Sequence, residues 1–260
     1  MNLLAYTEQG QGLPVVFLHG FCESKEIWNH YQQEIANNCR FIAIDLPGFG
    51  ESSNVLDENE TIATMAQKVV NTLQELKISH FALVGHSLGG YVSLEIINQF
   101  PAHVLGLCMF NSTAFADNDD KKEARNKTIR YVQEHGVEAF IRPFVPGLFY
   151  HTNREKCASA IQLLVDIGLK TPKQSIVIIT EAMRDRTDFT LLLEDLTFPV
   201  LFIVGKQDTA VLLSNSLNQC SLPQHSTSVF YHHTGHMAMF EKEKESLEAL
   251  KNWINSILRN

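Results

Sequence analysis

The strongest constraint on this chain is a rhythm of short apolar runs. "LPVVFLHG" (13–20), "CRFIAIDLPG" (39–48), "HFALVG" (80–85), "VLGLCMF" (104–110), "FPVLFIVG" (198–205) and "STSVFYHH" (226–233) all read as strands, most of them ending at a turn residue. A strand that is apolar on both faces has no side for water, which is the mark of a parallel sheet covered on both sides. Parallel neighbours need crossover connections, and helical spacing fills most of the gaps between these runs. In 61–78, Ile62, Met65, Val69 and Leu73 recur on one face, and in 24–38 Ile27, Tyr31 and Ile35 do the same behind Ser24 as N-cap. A helix over 88–100 stops at Pro101, and another runs from about 241 to 258 with Leu247, Leu250, Trp253, Ile254 and Ile257 on its inner face. The expected fold class is therefore α/β, a doubly wound, mostly parallel sheet.

The rhythm breaks at 113–190. This stretch has no buried-strand run and reads as mostly helical, with Pro143, Pro146 and Pro172 as interruptions. It carries 12 Lys and Arg against 11 Asp and Glu, a net +1, whereas the rest of the chain carries −9. The expected organisation is a core formed by 1–112 and 191–260, with 113–190 inserted as a helical cap.

A total net charge of −8 leaves no basic footprint for nucleic acid or for an anionic membrane surface. No run reaches the ~18 apolar residues of a membrane span. The start, "MNLLAYTEQGQG", lacks the basic and apolar regions of a signal peptide. Cys22, Cys39, Cys108, Cys157 and Cys220 are odd in number and scattered, which points to neither a disulfide framework nor a zinc site. The expectation is a cytoplasmic protein that acts on a small molecule, with oligomeric state left open.

Chemistry concentrates at "ALVGHSLGGYV" (82–92). Here a strand runs into a helix through Gly85-His86-Ser87-Leu88-Gly89, the strand–turn–helix setting that G-x-S-x-G requires. With 14 Gly and 16 Ser in the chain, chance supplies only about 0.05 such matches. Gly85 and Gly89 stand where a Cβ would clash in so tight a turn, and the turn would push the Ser87 hydroxyl outward. A serine hydroxyl needs a base, and the base needs an acid to orient it; in this setting the chain order is Ser, acid, His. Asp208 follows the strand 198–205, and His236 follows the strand 226–233, both at carboxyl ends. Asp185, Asp188 and Asp195 precede the returning strand, His225 lies at the wrong end, and His232 and His233 fall within the predicted strand. A metal reading of His232, His233 and His236 fails because strand alternation separates the first two. Oxyanion donors are expected from the backbone N–H groups of Leu88 and Phe21, with Cys22 as the alternative to Phe21. The Cys22 thiol itself reads as reactive or as buried and inert.

Taken together, "HGF" (19–21), "DLPGFGES" (45–52), "GHSLGG" (85–90), "GKQD" (205–208) and "GH" (235–236) resemble the α/β-hydrolase family, in the right order across about 220 residues. The resemblance implies a structural role for Asp45. It disfavours members with an aspartate nucleophile, such as haloalkane dehalogenases and epoxide hydrolases, because position 87 is serine. "EAMRDRTD" (181–188) is similar to a segment near the cap end in esterases and enol-lactonases. The implied function is a serine hydrolase cleaving a small carboxylic ester, lactone or thioester through an acyl-enzyme, with Ser87, His236 and Asp208 as triad and no cofactor. A C–C bond hydrolase, a perhydrolase and a slow-turnover receptor of the same fold are the alternatives. Phe140, Phe144, Phe149 and Tyr150 are candidates either to line a pocket or to anchor the cap. Arg125, Arg130 and Arg142 are candidates either to hold an acidic substrate tail or to form a solvated helix face.

Overall fold

The structure is a computed structural model describing residues 3–259. Seven strands form one sheet: β1 (Tyr6–Gln9), β2 (Pro14–Leu18), β3 (Arg40–Ile44), β4 (Phe81–His86), β5 (Val104–Phe110), β6 (Val200–Gly205) and β7 (Ser226–Tyr231), in the spatial order β1-β3-β2-β4-β5-β6-β7. From β3 to β7 all neighbours are parallel, and β1 joins the edge antiparallel to β3. β1 was not among the strands expected from sequence. Its residues YTEQ alternate too weakly to register, since an edge strand with mostly exposed side chains carries no apolar signal. Every residue of β4 and β6 is buried, as continuous apolar runs demand.

Among the described residues ten α-helices accompany the strands: α1 (Asn29–Ala36), α2 (Ile62–Glu75), α3 (Leu88–Gln99), α4 (Asp119–Leu148), α5 (Ala158–Leu169), α6 (Lys173–Arg184), α7 (Thr190–Glu194), α8 (Leu213–Gln219), α9 (Ala238–Glu241) and α10 (Glu243–Ile257). Helix α2 starts on a capping box between Thr61 and Thr64, worth about 1 kcal/mol, and buries Ile62, Met65, Val69 and Leu73. The segment expected as one helix over 24–38 divides into a 3-10 turn (Lys25–Trp28), capped by Ser24, and α1, yet Ile27, Tyr31 and Ile35 are all buried. The helix expected from about 241 to 258 is α10, with the short α9 ahead of it across Lys242.

No strand occurs among 113–190; α4 to α6 lie there, and α7 runs on into β6. The break in α4 differs from expectation. The chain stays helical through Pro143 and Pro146 and departs from helical geometry at Gly136, with φ +86° and ψ 177°. Nothing would obstruct a Cβ at Gly136, so glycine is there for its backbone freedom. No helix among the described residues is long and apolar enough to cross a membrane.

The topology sets the position of the site. After β3 the chain crosses to the far side of β2 and enters β4, so β2 and β4 flank the point where the winding reverses. Ligands in open α/β sheets bind outside the carboxyl ends of strands at such a point. The loop holding Phe21 leaves β2 there, and Ser87 leaves β4. Leu18 pairs with Gly85, and His86 with Phe110, so these strand ends lie level.

Candidate active site

Ser87 sits between β4 and α3 with φ +49° and ψ −112°. A residue with a side chain pays about 1–3 kcal/mol to hold such a backbone, so its neighbours must over-determine it. Ser87 N–H donates to the Phe110 carbonyl (3.1 Å), and the Ser87 carbonyl accepts from Gly90 N–H (2.9 Å) and Ser112 Oγ (2.7 Å). The glycines act as the sequence suggests. A Cβ at Gly85 would collide with the Gly89 carbonyl, and one at Gly89 with the Leu18 carbonyl.

Asp208 follows β6 and is buried. Its Oδ1 accepts from Ala210 N–H (2.8 Å) and Val211 N–H (2.9 Å). Its Oδ2 accepts from His236 Nδ1 (2.7 Å) and Asn111 Nδ2 (3.0 Å). Burial alone would push this carboxyl up, but the His236 charge and these donors hold it below the usual aspartate range. His236 is the mirror case: burial alone would lower it, and Asp208 outweighs that and raises it above the ordinary histidine value. An ionised Asp208 fixes the proton on Nδ1, leaving Nε2 as an acceptor. The His236 backbone N–H is tied to the Leu148 carbonyl at the end of α4 (2.8 Å). Glu241 accepts from Gly235 N–H (2.9 Å) and Tyr150 N–H (3.0 Å), locking the same loop.

Ser87 and His236 line one cavity of about 140 Å³, together with Phe21, Glu23, Tyr91, Arg125, Phe140, Phe144 and Met183 among others. No hydrogen bond joins Ser87 Oγ to His236 among the described residues; they meet across the cavity. The Phe21 and Leu88 amides have no protein acceptor among the described residues, and both belong to segments bordering Ser87. The Phe21 ring packs against Phe144 (6.1 Å between centroids) and Phe140 (6.3 Å), which stack on each other at 4.9 Å.

Several sequence expectations resolve by position. Phe140 and Phe144 line the cavity, whereas Phe149 is buried in the core and the Tyr150 ring packs near His151 and His233. Arg125 lines the cavity with Nε bonded to the buried Asp117 (3.0 Å), while Arg130 and Arg142 pair with Glu123 and Glu138 on the surface. Asp117 also pairs with Arg186, whose guanidinium lies 4.2 Å over the Tyr91 ring. Asp45 is buried, binding Lys25 and the Glu51 N–H, which fits a structural role. Cys22 is buried and burial pushes its thiol well up, which disfavours the nucleophilic thiolate. His232 and His233 lie beyond the end of β7 rather than inside a strand, because the strand stops at Tyr231 and His233 takes φ +53°. Asp185 pairs with the adjacent Arg184, and Asp188 accepts from Ala116 N–H. A larger groove of about 1160 Å³ runs past Val104, Asp195, Pro199, His225 and Ser226, at the amino ends of the strands, away from Ser87.

Sequence reading missed Asn111, Glu23 and His86. Glu23 is buried, and its Oε2 accepts from Gly20 N–H (2.6 Å) and from His86 Nδ1 (3.0 Å). His86 Nε2 donates to the His236 carbonyl (3.1 Å). Burial alone would raise the Glu23 carboxyl, but the His86 ring and the Gly20 amide help to hold it below its ordinary range. The only signal available was the adjacency of Glu23 to the "HGF" loop and of His86 to Ser87.

A family model described as the alpha/beta hydrolase fold matches residues 14–133. The dihydrolipoyllysine-residue acetyltransferase component of the acetoin cleaving system of Pseudomonas putida is 34% identical over 118 residues, 45% of this chain and 32% of that protein. The chain thus matches about a third of the length of that relative. Among solved structures, a thermophilic esterase from Thermogutta terrifontis superposes with a TM-score of 0.92 at 26% identity, covering 98% of this chain and 93% of the other. The enol-lactonase from Burkholderia xenovorans LB400 superposes with a TM-score of 0.89 at 17% identity, covering 97% and 96%.

Proposed function

We propose that this chain, which has the α/β-hydrolase fold, is a serine hydrolase cleaving a small carboxylic ester through an acyl-enzyme. One observation carries the reading: a strained Ser87 at the carboxyl end of β4 shares a cavity with His236, whose Nδ1 donates to a buried, ionised Asp208. In this mechanism Ser87 Oγ attacks the acyl carbonyl and its proton passes to His236 Nε2. The imidazolium is stabilised by Asp208. The oxyanion takes hydrogen bonds from the Phe21 and Leu88 amides, each worth about 3–4 kcal/mol in the transition state. His236 then protonates the departing alcohol, and water repeats the sequence to release the acid.

We read residues 113–190 as the cap on a core of 1–112 and 191–260. Arg125, Phe140, Phe144 and Met183 from α4 and α6 line the cavity beside Ser87, and their mostly apolar side chains lower the local dielectric, which strengthens charge interactions inside it. The substrate is a small molecule, in keeping with the cavity of about 140 Å³ and the net charge of −8. Five free, scattered cysteines favour a reducing, cytoplasmic compartment. The chemistry uses side chains, backbone amides and water alone.

The test is direct. The protein is expected to hydrolyse short-chain p-nitrophenyl esters and to be labelled by a fluorophosphonate at Ser87, and Ser87→Ala is expected to lose both. Wild-type turnover by Ser87→Ala would sink the assignment.

A further inference from the structure

Glu23 is a buried carboxylate in the cavity that the acyl-enzyme mechanism leaves unused. A carboxylate that is 3% exposed must have its acceptor capacity met or pay for its burial. One oxygen, Oε2, is met twice, by the Gly20 amide and by His86. The other, Oε1, has no partner among the described residues, and Glu23 lines the cavity beside Ser87. An ionised carboxylate is acceptor only, so whatever answers Oε1 is a donor. The surroundings narrow the class of donor. The His86 ring is already engaged by the Glu23 Oε2 and the His236 carbonyl, so it does not answer Oε1. A hydroxyl enters a largely aromatic and aliphatic cavity at a smaller desolvation cost than an ammonium, which makes a neutral hydroxyl the matching group. The place of that donor follows from the chain. Glu23 lies two residues after Phe21 on the same loop, so a hydroxyl bound there belongs to the part of the substrate that lies next to the reacting carbonyl.

We propose that Glu23 is a specificity-determining residue, its Oε1 accepting a hydrogen bond from a hydroxyl group carried by the ester substrate close to the scissile carbonyl. The inference rests on the ester-hydrolase reading above. The phenyl and aliphatic lining (Phe21, Phe140, Phe144, Leu148, Met183) supplies contact for the hydrocarbon part and no competing acceptor of comparable strength.

Three small esters test this: propyl butyrate, 2-hydroxyethyl butyrate, and propyl 3-hydroxybutyrate. They place no hydroxyl, a hydroxyl in the alcohol half, or a hydroxyl in the acyl half. Wild type is expected to prefer one hydroxylated ester over propyl butyrate by about ten- to a hundredfold in kcat/KM, as a hydrogen bond to a charged acceptor implies. The preferred ester identifies the half that reaches Glu23. In Glu23→Gln that ratio is expected to fall to about threefold or less. A merely structural Glu23 would slow all three esters together and leave the ratio unchanged, which overturns the proposal. Equal turnover of the three by wild type also overturns it while leaving the ester-hydrolase reading intact. No turnover of any of the three, with no fluorophosphonate label on Ser87, removes both.

Discussion

Replacing Asp208 by Asn tests the orientation of the base. The amide can face two ways. With its oxygen in place of Oδ1, the bonds from Ala210 N–H and Val211 N–H survive, and the NH₂ group points at His236 Nδ1 and Asn111 Nδ2. The reverse orientation would set NH₂ against both backbone amides, two donor–donor contacts instead of one. The first arrangement wins, and it forces His236 Nδ1 to become the acceptor. The proton then moves to Nε2, the nitrogen that receives the Ser87 proton in the proposed mechanism. Reversing the tautomer in a serine–histidine–aspartate triad costs about 10⁴ in kcat, or about 5.5 kcal/mol at about 1.36 kcal/mol per decade. The remaining donor–donor contact with Asn111 costs about 1–3 kcal/mol of stability, which lowers Tm by roughly 2–10 °C in a chain of this size. The assay is steady-state hydrolysis of a p-nitrophenyl ester, with a thermal melt of the same samples. A kcat within tenfold of wild type, on a folded Asp208→Asn protein, refutes the tautomer argument.

Two further outcomes follow from the same geometry. His236 must be unprotonated to act as base, and its folded pKa is raised by Asp208 against the opposing effect of burial; kcat/KM is therefore expected to rise with pH along a limb centred above 6.5. By the same linkage the His236 contribution to stability is complete below the unfolded histidine pKa and is lost as pH rises through the folded value. A pH–rate profile with its acid limb centred below 6.5 contradicts this. Gly85→Ala drives a methyl into the Gly89 carbonyl and the Gly90 amide, backbone atoms that cannot rotate away. A destabilisation of about 3 kcal/mol or more is expected by urea denaturation, with loss of kcat as the Ser87 turn shifts. Wild-type stability and turnover would remove the close-packing account of the elbow.

Much of this protein is legible without coordinates. Buried parallel strands must be apolar on both faces, so β2, β4, β5 and β6 are visible as uninterrupted runs. The turn at Ser87 is legible because only glycine fits where backbones touch, and Gly85 and Gly89 are local to it in the chain. Asp208 and His236 are legible because each follows a recognisable strand at the end where the sheet presents its loops. The edge strand β1 is not, since its exposed residues carry no periodic signal. Nor is the division of labour among the arginines of the inserted helices. Arg125 and Arg130 precede the break in α4 at Gly136 and Arg142 follows it, and only packing turns the first inward and leaves the others paired on the surface.

The amino-acid sequence by itself determined the class of sheet, the tight turn bearing Ser87, and the order of serine, acid and histidine, because each depends on residues near one another in the chain. Tertiary structure alone decided that Asn111 braces Asp208 from 97 positions away, and that Glu23 and His86, 63 positions apart, join beside His236 with one carboxylate oxygen left open to the cavity. Such contacts are set by strand order and register, which bring distant strand ends level, and no local pattern of residue types encodes which partners will meet there.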